Sequence, residues 1–115
     1  MKSYNGFTGE QREAGDKIVK KAIADGLLPD PNTQPCCICG QDKGIRHYHQ
    51  EDYTPDNIVE NSRCVCWRCH MMIHTRFWHP KSFEKYMIDT ILNKKRFDPV
   101  YRPNDWAKLN INYID

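Results

Sequence analysis

The chain has 115 residues, which fits one domain with a modest core. Hydrophobic residues make up 39% and charged residues 28%, and the mean hydropathy is −0.81, so apolar burial alone leaves a thin margin of stability. The formal charge of +2 excludes a strong global field for nucleic acid, and four thiolates around one Zn²⁺ would bring it to neutral. Any affinity for DNA therefore has to come from a local patch.

The opening residues, Met1 to Gly6, carry no apolar stretch behind a basic start, and no run reaches the roughly 20 apolar residues of a membrane span. The expected setting is cytoplasmic, with no membrane partner. In a reducing compartment, six cysteines read as metal ligands rather than as disulfides.

The first element is a helix. Thr8 with Gln11 has the form of a capping box. Ala14, Ile18, Val19, Ala22 and Ile23 then recur at helical spacing, with Lys17, Lys20 and Lys21 on the other face. Asp25–Gly26 is the expected stop, and Pro29, Pro31 and Pro35 make the next stretch an extended connector.

From Cys36 to about Phe77, cysteines, histidines and turn residues replace helical periodicity. Gly44 to His49 reads as a strand, with His47 and His49 on one face and Tyr48 on the other. A short helix is expected at roughly Cys69 to Phe77. A third helix starts at Pro80 or Lys81, with Phe83, Tyr86, Met87, Thr90 and Ile91 inward and Lys94, Lys95 and Arg96 at its C-terminal end. The tail from Trp106 to Asp115 takes no assignment. The organisation expected is one domain over 1–115: an N-terminal helix and connector (1–35), a core (36–79), and a C-terminal helix and tail (80–115).

Cys36-Cys37-Ile38-Cys39-Gly40 and Cys66-Trp67-Arg68-Cys69-His70 each contain a C-x-x-C step. Two intervening residues form a tight turn that aims both sulfurs at one point about 2.3 Å from a zinc ion. One such step is shared with redox dithiols; two of them, 26 residues apart from Cys39 to Cys66, are specific for metal. Cys36 is preferred to Cys37, because a pair separated by one residue fits the turn poorly. Cys37 and Cys64 are then spare, and small buried residues is the plain account of them. Four thiolates leave no open position, so the zinc is expected to be structural.

His70 follows the last of these cysteines and His74 lies one helical turn later, a spacing that suits a second metal. His49 ends the expected strand. A histidine beside a zinc cysteine also often just bonds a sulfur or a carbonyl, which is the alternative for each of these three. His79, next to Pro80, reads as a helix-start residue.

From Cys36-Cys37-Ile38-Cys39-Gly40 through His47-Tyr48-His49 and Asn61 to Cys66-Trp67-Arg68-Cys69-His70-Met71-Met72-Ile73-His74, the sequence resembles the HNH endonucleases with a zinc-ribbon core, the ββα-metal nucleases. The resemblance covers about 40 of the 115 residues and leaves out the flanking helices. It implies a small α+β fold: a zinc ribbon carrying a ββα-metal unit flanked by N- and C-terminal helices. It also implies hydrolysis of DNA phosphodiester bonds with one catalytic Mg²⁺ or Mn²⁺ beside a structural Zn²⁺. Carried onto this sequence, His49 is the candidate base, and His70 is a metal ligand. His74 becomes a second ligand or a phosphate contact, and Asn61 holds the loop that bears His49.

The family has two adjacent functional residues where this chain has Tyr48, His49 and Gln50. Either His49 is the base and a ligand comes from Glu51, Asp52 or His47, or His49 binds metal and the base is missing. The second case is a zinc-ribbon module that binds DNA or a protein partner without cutting. Arg46, Arg63, Arg68 and Arg76 lie in or beside this region and suit phosphate. Lys94-Lys95-Arg96 and the lysines of the first helix are candidates for flanking backbone. Trp67, Phe77 and Trp78 are expected to pack around the knuckle and helix rather than to stack on bases. No dimerisation heptad is present, so a monomer or weak dimer that nicks one strand is the default.

Overall fold

The computed structural model describes residues 1–104. The expected tail from Trp106 to Asp115 lies outside them. The elements, in order, are α1 (Gly9–Ala24), a 3₁₀ turn (Pro31–Thr33), β1 (Arg46–His49), β2 (Arg63–Cys66), α2 (Trp67–Thr75), α3 (Pro80–Met87) and a π turn (Ile88–Leu92). β1 and β2 pair as a two-stranded antiparallel sheet, so the class is α+β. The chain divides into two compact units, Met1–Asp30 with Tyr48–Arg63, and Pro31–His47 with Cys64–Asp115.

In the first unit, the capping box forms as expected: the Thr8 hydroxyl accepts from Gln11 N and the Gln11 side chain accepts from Thr8 N. Such a cap is worth about 1 kcal/mol. Ahead of it, Tyr4 and Phe7 exchange both backbone hydrogen bonds at 2.9 Å around Asn5 and Gly6, which both take positive φ, the backbone a two-residue hairpin turn requires. α1 stops at Asp25, and Gly26 (φ +78) turns the chain.

The buried stripe of α1 is not the expected one throughout. Val19 and Ala22 are buried, but Ala14 is exposed and Gly15 is buried in its stead. The cause is close approach. A Cβ built on Gly15 would lie 2.5 Å from Ile58 Cδ1 and 3.1 Å from Tyr53 Cδ1, so any larger residue there would force the Ile58 side chain to shift. Tyr4, Val19, Tyr53 and Ile58 form the core here, and the Arg12 guanidinium lies 5.2 Å from the centroids of both the Tyr4 and Tyr53 rings.

In the second unit, Cys36, Cys39, Val65, Cys66, Cys69, Met72 and Tyr86 form the core. α2 begins two residues earlier than expected because the Cys66 sulfur itself serves as the cap, accepting Cys69 N at 3.5 Å. α3 starts at Pro80 behind His79, as expected, with Pro in the first turn where its missing N–H costs nothing. Tyr86 and Thr90 are fully buried and Phe83 and Met87 partly so, but Ile91 is exposed. The π turn at Ile88–Leu92 adds a residue to the turn and rotates the stripe, bringing Asp89 inside, where Lys85 Nζ and Asn93 Nδ2 each reach it at 3.0 Å. Arg96 donates to Thr90 O at 2.8 Å, so one of the three cations at this end satisfies a terminal carbonyl. Among the described residues no helix is long and apolar enough to cross a membrane.

Candidate metal centre

Cys36 and Cys39 lie on a turn in which Gly40 N donates to Cys36 O and Cys36 N donates to Gln41 O, both at 2.8 Å. Cys66 ends β2 and Cys69 lies in the first turn of α2. All four sulfurs lie within 4.8 Å of one another, all four residues are buried, and none forms a disulfide. Cys39 Sγ and Cys66 Sγ are 3.7 Å apart. The edge of a tetrahedron with bonds of about 2.3 Å is about 3.8 Å, so the spacing suits zinc.

The electrostatics point the same way. Hydrogen bonds from Cys39, Cys66 and Cys69 hold the Cys36 thiol far below its ordinary value. The hydrogen bond to Cys36 is the largest influence pushing Cys66 and Cys69 far above theirs. One buried sulfur can ionise at the expense of its neighbours, and a divalent cation is what lets all four do so together. The cluster can hold a metal such as zinc, in a closed set that leaves no position for substrate.

Two groups around it were not singled out in the sequence. The Tyr86 hydroxyl lies 3.0 Å from Cys69 Sγ, and burial pushes that phenol well above its ordinary value. Arg68, buried between the two ligating cysteines, lies 4.7 Å over the Phe97 ring. Of the spare cysteines, Cys64 is buried, with its thiol pushed up to about 11 chiefly by burial. Cys37 is exposed, which corrects the expectation for that residue.

On α2, His70 and His74 are half-buried and present Nε2 to Nε2 at 2.9 Å. The His47 ring packs 5.3 Å from Trp67 and 5.9 Å from His70. His49, in the first unit, is buried, and its Nε2 meets Glu51 Oε2. That same oxygen accepts the Tyr4 hydroxyl, and the Tyr4 ring stands edge-on to the imidazole at 5.9 Å. Glu51 is therefore the carboxylate beside His49. Asp52 instead caps a turn, accepting Thr54 N at 2.8 Å and Asn57 Nδ2 at 3.2 Å, and the bonds from Thr54 hold its carboxyl below the usual range.

Asn61 departs from its expected part. It is exposed and donates to Asn57 O at 2.9 Å, within its own turn. The tie to the residue after His49 is made by Gln50 Nε2 to Ser62 Oγ at 3.2 Å, with Ser62 in turn donating to Ile58 O. Arg46 is buried and donates to the carbonyls of Pro31, Asn32 and Gly44, a loop clamp rather than a phosphate group. Arg63 is exposed and Arg76 half-buried.

What fold and site together define is a small α+β protein with a buried four-cysteine cluster able to hold a metal ion. No family model, characterised protein or solved structure matches the chain.

Proposed function

We propose that this chain is a metal-dependent endonuclease of the HNH type that hydrolyses DNA phosphodiester bonds and nicks one strand. In this reading zinc at Cys36, Cys39, Cys66 and Cys69 braces the fold, and a second divalent ion, Mg²⁺ or Mn²⁺, sits at the histidines. The observation that carries it is the His70–His74 pair, with ring nitrogens 2.9 Å apart on the helix that directly follows β2. That is the length of a hydrogen bond between the two imidazoles, and it also brings both nitrogens close enough to reach one divalent ion. The order β1, β2, α2, with the second C-x-x-C at the strand–helix junction, supports the ββα reading.

His49, His70 and His74 each offer one ring nitrogen. β1 has a side-chain period of two, so His47 and His49 lie on one face of the strand. The ion, when bound, supplies Lewis-acid stabilisation of charge on the leaving oxygen. His70 and His74 bind and orient. Glu51, itself steadied by the Tyr4 hydroxyl, would fix the His49 imidazole at Nε2, with His49 the candidate base for the attacking water.

One observation favours a second reading, a zinc-ribbon module that binds DNA or a protein without cutting. Neither neighbour of His49 is available for chemistry: Tyr48 donates to Pro29 O at 2.6 Å and Gln50 is buried against Ser62. A supercoiled plasmid separates the two. The nuclease gives open circles before linear DNA when Mg²⁺ or Mn²⁺ is added, and nothing in chelator. The module leaves the plasmid intact in all three while keeping its zinc.

A further inference from the structure

After the π turn at Ile88–Leu92 the chain turns back at Lys94, whose φ is +56, and residues 94–102 take neither helix nor strand. This irregular stretch nevertheless has fixed partners. Gln41 Nε2 donates to Phe97 O at 3.1 Å, Ile45 N donates to Val100 O at 2.8 Å, and Trp67 Nε1 donates to Pro103 O at 3.3 Å. The approach at Val100 is close. Gly44 has φ +75, and a Cβ built on it would lie 2.5 Å from Val100 O. A side chain at that position would press on backbone, which cannot swing aside as a side-chain tip does.

What the stretch covers is the four-cysteine centre. Phe97 packs against the core that contains the cysteines and stacks on Tyr86 at 5.6 Å, with 20° between the ring planes. The Arg68 guanidinium lies 4.7 Å over the Phe97 ring and Lys95 Nζ lies 5.4 Å from its centroid, so two cations add to the hold on it. Val100 is buried. Between residues 97–100 and the cysteines Cys39 and Cys66, the crevice has a volume of only 10 Å³. That is about the least that admits a single water, and a chelating ligand needs many times more.

We infer that residues 97–100 are a strap that gates the metal centre. Zinc enters and leaves, and a competing ligand reaches Cys39 and Cys66, only while the strap is lifted. The four thiolates set how tightly the ion is held, and the strap sets how fast it exchanges. An incoming donor has to approach while the thiolates are still bound, so a cover over the centre controls the rate through its own local opening. The strap can lift without breaking a helix or the sheet, because Cys66 and Cys69 are carried by β2 and α2 and Cys36 and Cys39 by their own turn. The inference rests on metal at the four cysteines and is independent of the nuclease reading.

The test mixes zinc-loaded protein with an excess of a chromophoric chelator (pyridylazoresorcinol) and follows the absorbance of the zinc–chelator complex with time. Phe97→Ala removes the aromatic pair and both cation contacts, and it is expected to release zinc about ten- to a hundredfold faster than wild type. It still carries one zinc per chain at the start, and Phe97→Leu, which keeps an apolar cover, falls between the two. Gly44→Ala alters no residue of the strap or the centre, and it also releases faster because its Cβ meets Val100 O. Gly15→Ala is the control for general loosening, since it acts through Tyr53 and Ile58, and it releases zinc within about twofold of wild type. Equal rates in wild type, Phe97→Ala and Gly44→Ala overturn the inference. So does a Gly15→Ala protein that matches Phe97→Ala, because release then follows unfolding of the whole chain. Should Phe97→Ala fail to load zinc, Gly44→Ala decides alone: faster release supports the strap and an unchanged rate overturns it. A wild type that binds no zinc overturns the metal centre and the strap with it. A protein that never nicks plasmid yet shows the Phe97 effect keeps the strap and loses the nuclease reading.

Discussion

The Tyr86 hydroxyl and Cys69 Sγ share a hydrogen bond of 3.0 Å, with both residues sealed from solvent. Cys69 lies at the start of α2 and Tyr86 near the end of α3, so the bond ties α3 to the four-cysteine cluster, and with zinc bound the hydroxyl is the donor because a thiolate can only accept. A donor to a ligating sulfur spreads thiolate charge and fixes the ligand's direction. Tyr86→Phe removes only the oxygen and keeps the ring that stacks 5.6 Å from Phe97. Zinc affinity, measured by competition with a chromophoric chelator, is expected to fall by about tenfold with the fold retained.

Gly15 is a packing requirement in a helix that would otherwise favour alanine. The helical preference for Ala is worth about 1 kcal/mol, while overfilling a packed contact costs about 1–3 kcal/mol. Because the added Cβ would meet Ile58 Cδ1 at 2.5 Å, Gly15→Ala is expected to destabilise by about 1 kcal/mol net in urea. Ile58→Val removes the clashing methyl group, so the second substitution costs less in the Gly15→Ala background than in wild type.

Asp52 gives an acid-side signature. Thr54 holds its carboxyl below the ordinary value, so its contribution is present above the usual carboxylate range and is lost as pH falls through the folded value. The Tm gap between wild type and Asp52→Ala is therefore widest at neutral pH and narrows below about pH 4. A gap that widens in acid would contradict the turn-capping role.

Glu51 is expected to matter for rate and not for zinc. Its carboxylate joins His49 Nε2 to the Tyr4 hydroxyl, so Glu51→Ala frees the imidazole to turn. A small misplacement of a reacting group costs about a hundredfold, so nicking in Mn²⁺ slows by about that factor while zinc content and oligonucleotide binding hold.

What was legible in the sequence was local or rigidly spaced. The Thr8–Gln11 box, the start of α3 at Pro80 and the four cysteines each depend on residues within a few positions or on a metal's fixed bond lengths. What was hidden depends on partners far along the chain. Gly15 displaces Ala14 because Tyr53 and Ile58 come to lie against it, some 40 residues on. Glu51 stands two residues from His49 and could be read as a neighbour, but its bond to Tyr4 spans 47 positions. Ile91 fits the helical period and is exposed because the period itself changes at Ile88. Phe77 and Trp78 have the composition of core residues, and only the end of α2 at Thr75 leaves them outside.

The central claim is that the histidines hold a divalent ion apart from the four-cysteine centre. Its most direct test is metal content of the zinc-loaded protein after equilibration with Mn²⁺ and gel filtration, for wild type and for His70→Ala with His74→Ala. The account predicts one zinc and one Mn²⁺ per chain in wild type, and zinc alone in the double variant. Wild type that keeps one zinc and takes up no Mn²⁺, or a double variant that still binds it, would contradict the claim.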